Sequence, residues 1–246
     1  SNAVQIGGKL SDAQKGKPGI PSMPDLFFCH RGDAAVLGTE NLIDWNDLFQ
    51  KKELDQYIPE FLEDGMTGDI LSIFPVSKST HMLFVCGSVF DRFSADTGKP
   101  ATAFPPGNGF FQAAEKYYSW SGGRPFCALD YLIRSVELNA FEKALKIFIR
   151  MMAGMILQIP FLGLLDGICP FSCKGHIVVS DLYSNTQIMT GEVASGIGSS
   201  ASILYYNDTV TTEQTSEPMG LQVFPIPKAN GSDLLATQAG VGLCAS

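Results

Sequence analysis

Short apolar runs alternate with polar breaks along this chain, and the length of each run decides what it becomes. Leu26 to Cys29 is a continuous apolar run of strand length that stops at His30-Arg31-Gly32-Asp33. A polar turn at Asp64, Gly65, Gly68 and Asp69 leads into a second run, Ile70 to Phe74. Pro75 should stop it, because proline cannot donate to a sheet ladder. The polar group Ser77-Lys78-Ser79-Thr80-His81 follows, and a third run, Met82 to Cys86, begins at once. Phe126 to Ala128, Val193 to Ile197, Leu221 to Phe224 and Gly240 to Ala245 complete the predicted strands.

Helical spacing fills the intervals. Ala34 to Gly38 reads as a short helix and Val89 to Phe93 as one or two turns. Phe110, Phe111, Ala114, Tyr117 and Tyr118 recur at three and four residues over Gly109 to Trp120, and Gly122-Gly123 ends that helix as a C-terminal cap. Ser135 to Met155 carries the strongest helical period, and Ser180 to Met189 a shorter one. Gly198-Ser199-Ser200-Ala201 opens a further helix towards Tyr206. Strands alternating with helices predict α/β layers. The first twenty residues, rich in Gly7, Gly8, Gly16, Pro18 and Gly19, read as a loose arm.

With 246 residues the chain can form one large domain or two small lobes, and 45% hydrophobic residues suffice for a packed core. A formal charge of −8 with scattered Lys and Arg argues against a nucleic-acid surface. The most apolar stretch, Met151 to Leu165, is broken by Pro160 and flanked by Arg150 and Asp166. It is shorter than the ~20 residues that span a bilayer, so it reads as a buried helix end and loop. The opening Ser1-Asn2-Ala3 has the composition left when a protease removes an expression tag, so a signal or lipidated cysteine could precede it.

Of the six cysteines, Cys29, Cys86, Cys127 and Cys244 sit inside apolar runs, where a free thiol behaves as a small hydrophobe. Cys169 and Cys173 bracket a tight loop that could close a disulfide. With His176 they form a C-x-x-x-C-x-x-H cluster, but structural zinc takes four ligands and no fourth is evident, so no metal or other cofactor is expected. Enzyme signatures are weak. Gly196-Ile197-Gly198-Ser199-Ser200-Ala201 fits G-x-G-x-x-A, yet no acidic partner follows a second strand at the required distance. Neither a G-x-S-x-G elbow nor a Walker A loop occurs.

The order of these segments resembles the bacterial extracellular solute-binding proteins, the carbohydrate-type ligand receptors of ABC importers. Phe61 to Phe93 is similar to that family's interlobe run, D-G-x-L-x-x-[FL]-P-x-x-K-S-T-x-x-L-x-Y-N-x-x-x-F-D. Pro24-Asp25-Leu26-Phe27-Phe28 resembles its P-D-[LIV]-x-x strand, and Tyr117-Tyr118-Ser119-Trp120-Ser121-Gly122-Gly123 the helix that begins its second lobe. Thr190 to Ala201 looks like its strand-to-helix element, Val223-Phe224-Pro225-Ile226-Pro227 its L-P-x-P strand, and Gln238 to Leu243 the strand returning to the first lobe. Two features depart from the pattern. Phe84-Val85-Cys86-Gly87 replaces Tyr-Tyr-Asn after the crossing strand, and the family's earlier βαβ unit and later helices have no counterpart.

The resemblance therefore implies an α/β, two-lobed periplasmic-binding-protein-like (type II) fold with an incomplete first lobe. Residues 1–20 would be the arm, 21–83 with 234–246 the partial first lobe, and 84–233 the second. It implies a non-enzymatic receptor that captures a small polar solute, a carbohydrate in the first place, by hinge closure and hands it to an ABC permease. The expected location is extracellular, anchored through a lipidated N-terminus outside this sequence, or periplasmic. The alternative is a truncated scaffold that binds no solute and self-associates as a homodimer.

Three strand ends would then supply the ligand contacts: Arg31 and Asp33; Ser77, Ser79, Thr80 and His81; and Ser199 and Ser200. Hydroxyls both donate and accept, Asp33 accepts, and Arg31 offers a planar fork, a set suited to a polyhydroxylated or anionic ligand. A helix opening at Ser199-Ser200 would add free backbone N–H groups, and Tyr205 or Tyr206 could stack on a sugar face. Plainer roles stand beside these: Ser199 as an N-cap, His81 as a strand-edge polar residue, Lys78 as a solvated charge, and the tyrosines as core.

Overall fold

Chain contacts divide the molecule into two units, residues 1–79 with 238–246, and residues 80–237. The computed structural model describes residues 3–98, 109–130, 174–179, 183–226 and 240–246. The predicted helix from Ser135 to Met155, the run from Met151 to Leu165, and Cys169 and Cys173 lie outside the described residues.

In the first unit, β1 (Leu26–Cys29) runs antiparallel to β12 (Gly242–Ala245), which pairs in turn with β4 (Phe74–Pro75) in a three-stranded sheet. Phe27 and Cys29 are buried while Leu26 and Phe28 face out. The apolar run is thus an edge strand covered on one face. Pro75 does end its strand, from a paired position within it. It pairs with Gly242 as the last residue of β4, an edge position where proline is tolerated. The run from Ile70 to Phe74 is not one strand: it divides into β3 (Ile70–Leu71), which Gly68 at φ 62 turns back onto β2 (Met66–Thr67), and β4.

The expected loose arm is corrected by α1 (Ala3–Gln14). Its glycines are poor helix formers, but packing overrides propensity. Leu10 is buried in one cluster with Phe27, Ala34, Leu37, Leu42 and Ile73. Gln14 Nε2 donates to Leu37 O at 2.6 Å, tying α1 to α2 (Arg31–Leu37). Gly7 has a function here, since a Cβ at that position would lie 1.9 Å from Asp33 Oδ1. Two further helices, α3 (Lys51–Leu54) and α4 (Pro59–Gly65), precede the hairpin; Pro59 opens α4 at a first-turn position whose N–H has no helical partner.

The second unit is built on β5 (His81–Val85). It is flanked on both sides by antiparallel partners, β8 (Ser195–Ser199) and β11 (Gln222–Pro225). The first boundary between units consequently falls before this strand, not within it as the expected division at 83 and 84 placed it. Beyond β8 the sheet continues in parallel through β6 (Cys127–Leu129) and β7 (Ile177–Val179), giving the order β11-β5-β8-β6-β7. Both faces are covered. Leu83, Val85, Cys127, Leu129 and Ile197 pack against Phe90, Phe93, Phe110, Ala114 and Tyr117 of α5 (Gly87–Thr97) and α6 (Gly109–Trp120). Phe84 and Ala128 meet Ile188 of α7 (Ser184–Met189), Val210 of the hairpin of β9 (Thr209–Thr211) and β10 (Ser216–Pro218), Val193 ahead of β8 and Met219 just after β10. Two-sided burial is why the β5 run is apolar at successive positions instead of alternating.

The mixed helix and sheet architecture agrees with the predicted α/β class. Helix α6 has the predicted bounds, whereas α5 is longer than the predicted 89–93. Gly87, Phe90, Phe93 and Ser94 recur on its buried face until Gly98, in the left-handed region, ends it. Cys29, Cys86, Cys127 and Cys244 are buried free thiols, and burial pushes Cys127 up to about 12.

Close packing at Gly87 gives a matched test. A Cβ there would sit 2.1 Å from the Gly220 carbonyl oxygen, whereas one at Gly8, within α1, meets nothing within 4 Å. Gly87→Ala is expected to destabilise the fold by about 1–3 kcal/mol in urea unfolding, and Gly8→Ala to stabilise it by up to about 1 kcal/mol.

Candidate functional site

Each unit gathers polar residues where its strands end. In the first unit the chain leaving β1 enters α2 through a capping box: His30 N donates to Asp33 Oδ2 at 3.2 Å. Asp33 is therefore engaged in holding its helix start. Arg31 approaches Asp64 Oδ1 at 3.4 Å, and Lys78 closes on the other oxygen of the same carboxylate. Lys78 also lies 6.0 Å above the Phe61 ring. Asp64 is the residue on which these two cations converge, and sequence reading treated it only as part of a turn. Arg31 remains largely exposed, so most of its guanidinium is open to a ligand. Ser77 is exposed and Ser79 half-buried. The Ser77 backbone is fixed by donation to Val241 O at 3.4 Å. His30 Nδ1 lies 2.9 Å from Gly240 O.

In the second unit the β5–β8 ladder brings four of the predicted residues together. His81 is opposite Ser199. One step further out, Ser200 N donates to Thr80 O at 2.6 Å and Thr80 N donates to Ser200 Oγ at 3.1 Å. Ser200 is thus a clip between two strand ends. Ser199 acts as the N-cap, its hydroxyl accepting from Ala201 N at 3.3 Å. The expected helix dipole site at Ser199-Ser200 is corrected: the element is a six-residue 3-10 helix, Ser200–Tyr205, and the N–H groups of Ser200 and Ala201 are already bonded. Tyr205 is 69% exposed, while Tyr206 packs its ring 5.1 Å from Phe84.

Sequence reading missed the carboxylate at the end of β6. Asp130 follows the apolar strand directly, so the rule that found His30 and Ser77 would have found it had the strand been extended to Leu129. Its backbone N–H donates to Ile197 O at 3.1 Å, and its Oδ1 accepts from Ser184 N at 2.6 Å. Two glycines of β8 leave room: a Cβ at Gly198 would sit 2.4 Å from Asp130 Oδ2, and one at Gly196 would sit 2.5 Å from Ser184 Cβ. Burial raises the Asp130 carboxyl, opposed by the Ser184 bonds and more weakly by His81. Burial, and then the Asp130 charge, push the Tyr206 phenol well above its ordinary value, so it stays a neutral donor.

Around this end of the sheet several buried polar atoms have no hydrogen-bond partner: Thr80 Oγ1, Asn185 Oδ1 and the Tyr206 hydroxyl. Asn185 is held by its other end, Nδ2 donating to Tyr205 O at 3.3 Å. The opposite end of the same sheet carries a cleft of 720 Å³ lined by Arg124, Gln187, Glu192 and Thr212 among others. Arg124 and Pro125 of its lining lead into β6 and Glu192 and Val193 lead towards β8, so it does not include Asp130. Among the described residues no group of three or more His, Cys, Asp or Glu side chains could hold a metal ion.

The raised Asp130 carboxyl makes a signed prediction. A group with a native pKa above its unfolded value binds more protons when folded, so it favours folding at low pH. That contribution is lost as pH rises through the unfolded value near 3.8 and on to the raised native one. Asp130→Asn, which retains an acceptor for Ser184 N, should therefore gain stability relative to the wild type as pH rises through that window, with no further gain above it. Urea midpoints between about pH 3.5 and 7.5 check this, and a difference that does not vary with pH would refute it.

No protein-family model matches the chain, and no curated protein matches it in sequence. Solved structures do match in shape. UgpB from Mycobacterium tuberculosis in complex with glycerophosphocholine aligns with a TM-score of 0.72 at 15% identity, over 99% of this chain and 60% of that one. A periplasmic solute binding protein from Pectobacterium atrosepticum gives 0.75 at 14% identity, covering 100% and 62%. The cyclic alpha-maltosyl-1,6-maltose binding protein from Arthrobacter globiformis gives 0.67 at 14%, covering 100% and 61%. The chain thus has the periplasmic-binding-protein-like fold of the solute-binding proteins, and it spans about 60% of the length of these structures.

Proposed function

We propose that this chain captures a small polar solute, a carbohydrate or a related polyhydroxylated compound, for delivery to an ABC permease. The observation that carries this reading is the set of unpaired, buried polar atoms at one end of the five-stranded sheet. Thr80 Oγ1, Asn185 Oδ1 and the Tyr206 hydroxyl are left without partners, although buried polar groups in folded proteins are almost always bonded. A ligand with several hydroxyls would satisfy all three, since each hydroxyl both donates and accepts. Asp130, with its carboxyl raised, adds a group that accepts when ionised and donates when protonated. Exposed Tyr205 offers a ring face to a sugar.

Of the residues expected from sequence, Thr80, His81 and Tyr205 are the ones we retain as ligand contacts in this unit, with Ser199 and Ser200 shaping the strand ends that hold them. Within the first unit, taken by itself, Arg31, Ser77 and Ser79 are proposed as ligand-binding residues, and Asp33 acts mainly through its helix cap. The reading is non-enzymatic. Of the similar structures, UgpB is in complex with glycerophosphocholine and the Arthrobacter globiformis protein binds cyclic alpha-maltosyl-1,6-maltose, both rich in polar oxygen. We place the protein outside the cytoplasm, either periplasmic or tethered through a lipidated segment preceding this sequence. No helix of the described residues is long and apolar enough to cross a membrane.

A second reading, self-association through the edge of the first unit's sheet, is favoured by one observation. β1 is an edge strand with Leu26 59% and Phe28 49% exposed, and an apolar edge is a template for pairing with another chain.

One experiment separates the two. In a thermal-shift screen against maltose and chitin oligosaccharides, polyols and glycerophosphodiesters, a ligand at ~100 times its Kd should stabilise the fold by about 2.7 kcal/mol. Tyr206→Phe or Thr80→Val should weaken that ligand about tenfold, each removing one buried hydrogen bond. A flat screen together with a dimeric mass in sedimentation equilibrium would overturn solute capture in favour of self-association.

A further inference from the structure

Cys29 and Cys244 are far apart in sequence but share one ladder. In the antiparallel pairing of β1 with β12, Cys244 lies opposite Phe27, and Cys29 lies opposite Gly242. Opposed residues share a sheet face and alternate residues return to it, so both thiols project from the same face as diagonal neighbours. Both are buried, at 2% and 0% exposure, in one cluster. Gly242 puts no side chain of its own beside Cys29. Each thiol acts on the other: Cys244 holds Cys29 below the ordinary thiol range, and Cys29, with burial, pushes Cys244 above it. The other buried thiols have different company: the Cys86 sulfur is 3.5 Å from the Ser88 hydroxyl and 3.8 Å from Met219 O, and the Cys127 sulfur is 3.6 Å from Ala128 O.

We propose that Cys29 and Cys244 form a disulfide in an oxidising compartment, clamping the edge strand β1 to the central strand β12. The oxidant is a small disulfide such as oxidised glutathione. The Cys29 thiolate attacks one of its sulfurs, forming a mixed disulfide and releasing one glutathione thiolate. Cys244 then loses its proton and attacks the Cys29 sulfur, expelling the second glutathione. Two protein thiols thereby become one S–S bond, and the oxidant is reduced to two thiols. Access comes from the position of β1 at the sheet edge: the bond forms during folding or when β1 detaches locally, since edge elements open at lower free energy than the core.

The bond would close a loop containing nearly the whole chain, and long loops gain the most from a cross-link. It would also hold in place the strand that exposes Leu26 and Phe28. The bond's biological use rests on the exported location proposed above. Its chemistry does not, and the test contains no solute, so its failure would be distinct from failure of solute capture.

The full chain is unfolded under reducing conditions, refolded in a glutathione redox buffer, alkylated after denaturation and mapped by mass spectrometry without reduction. We expect a cross-linked peptide pair containing Cys29 and Cys244, an intact mass about 2 Da below that of the reduced chain before alkylation, and the same link in Cys86→Ser/Cys127→Ser. The oxidised protein should melt at least about 5 °C above the Cys29→Ser/Cys244→Ser variant. Full alkylation of both cysteines after oxidation, or linkage of either to another cysteine or to glutathione alone, would overturn the proposal. A bond with no rise in Tm would overturn its role as a clamp.

Discussion

Burial of β5 on every side is the constraint on which the larger unit depends. Leu83 and Val85 are fully buried and Phe84 nearly so, and both edges of the strand are paired, to β8 and to β11. A strand so placed has no polar side to offer water. Its helices must cover one face with aromatic side chains, and α7 with the β9–β10 hairpin must cover the other. The aromatic density follows: Phe93 meets Tyr117 and Trp120 edge-on, at 5.5 and 5.6 Å. Polar chemistry is thereby pushed to the strand ends, where Thr80, His81, Ser199, Ser200 and Asp130 are found.

The same constraint explains the composition of β8. A strand between β5 and β6 would ordinarily carry bulky β-branched residues. Instead it reads Ser-Gly-Ile-Gly-Ser. Its two glycines share a face, and on that face Ser184 and Asp130 occupy the space that side chains would fill. Packing has been given up in the middle of a sheet so that a carboxylate and the start of a helix can approach the backbone. Glycine inside a strand weakens it, and commonly marks such an approach. The Arg92–Glu217 pair shows the contrasting arrangement. Its bonds of 2.5 and 2.8 Å are bidentate but exposed, and they brace a surface instead of shaping a site.

Much of this architecture was legible. Apolar run length located the strands, and three-and-four spacing located α6 to the residue, because both signals are set by burial. The failures have one source: local rules lost to tertiary contacts. Gly7 and Gly8 argued against a helix, and burial of Leu10 against the β1 core overrode them. Ile70 to Phe74 read as one strand, and pairing with β2 and with β12 divided it in two. At the site, Ser199 was recognisable as an N-cap and Ser200 as a strand-end hydroxyl, but sequence could not show that the Ser200 oxygen is spent on the Thr80 clip. Asp64 was invisible as a charge centre because Arg31 and Lys78, its partners, are distant in sequence.

Asp130 and Tyr206 show where sequence reading has least reach. Each looks ordinary in its own segment, one after a strand and one after a helical turn. They become a site only because β6 is parallel to β8, which brings the end of β6 beside the glycines of β8 and the start of α7 above both. Parallel pairing of strands that are not sequence neighbours is a long-range property, and no local window encodes it. What the window does encode is the opening that permits it. Paired glycines in a strand that should be bulky are the sequence trace of a carboxylate arriving from elsewhere, and the alternation Gly196, Gly198 identifies the face on which it arrives.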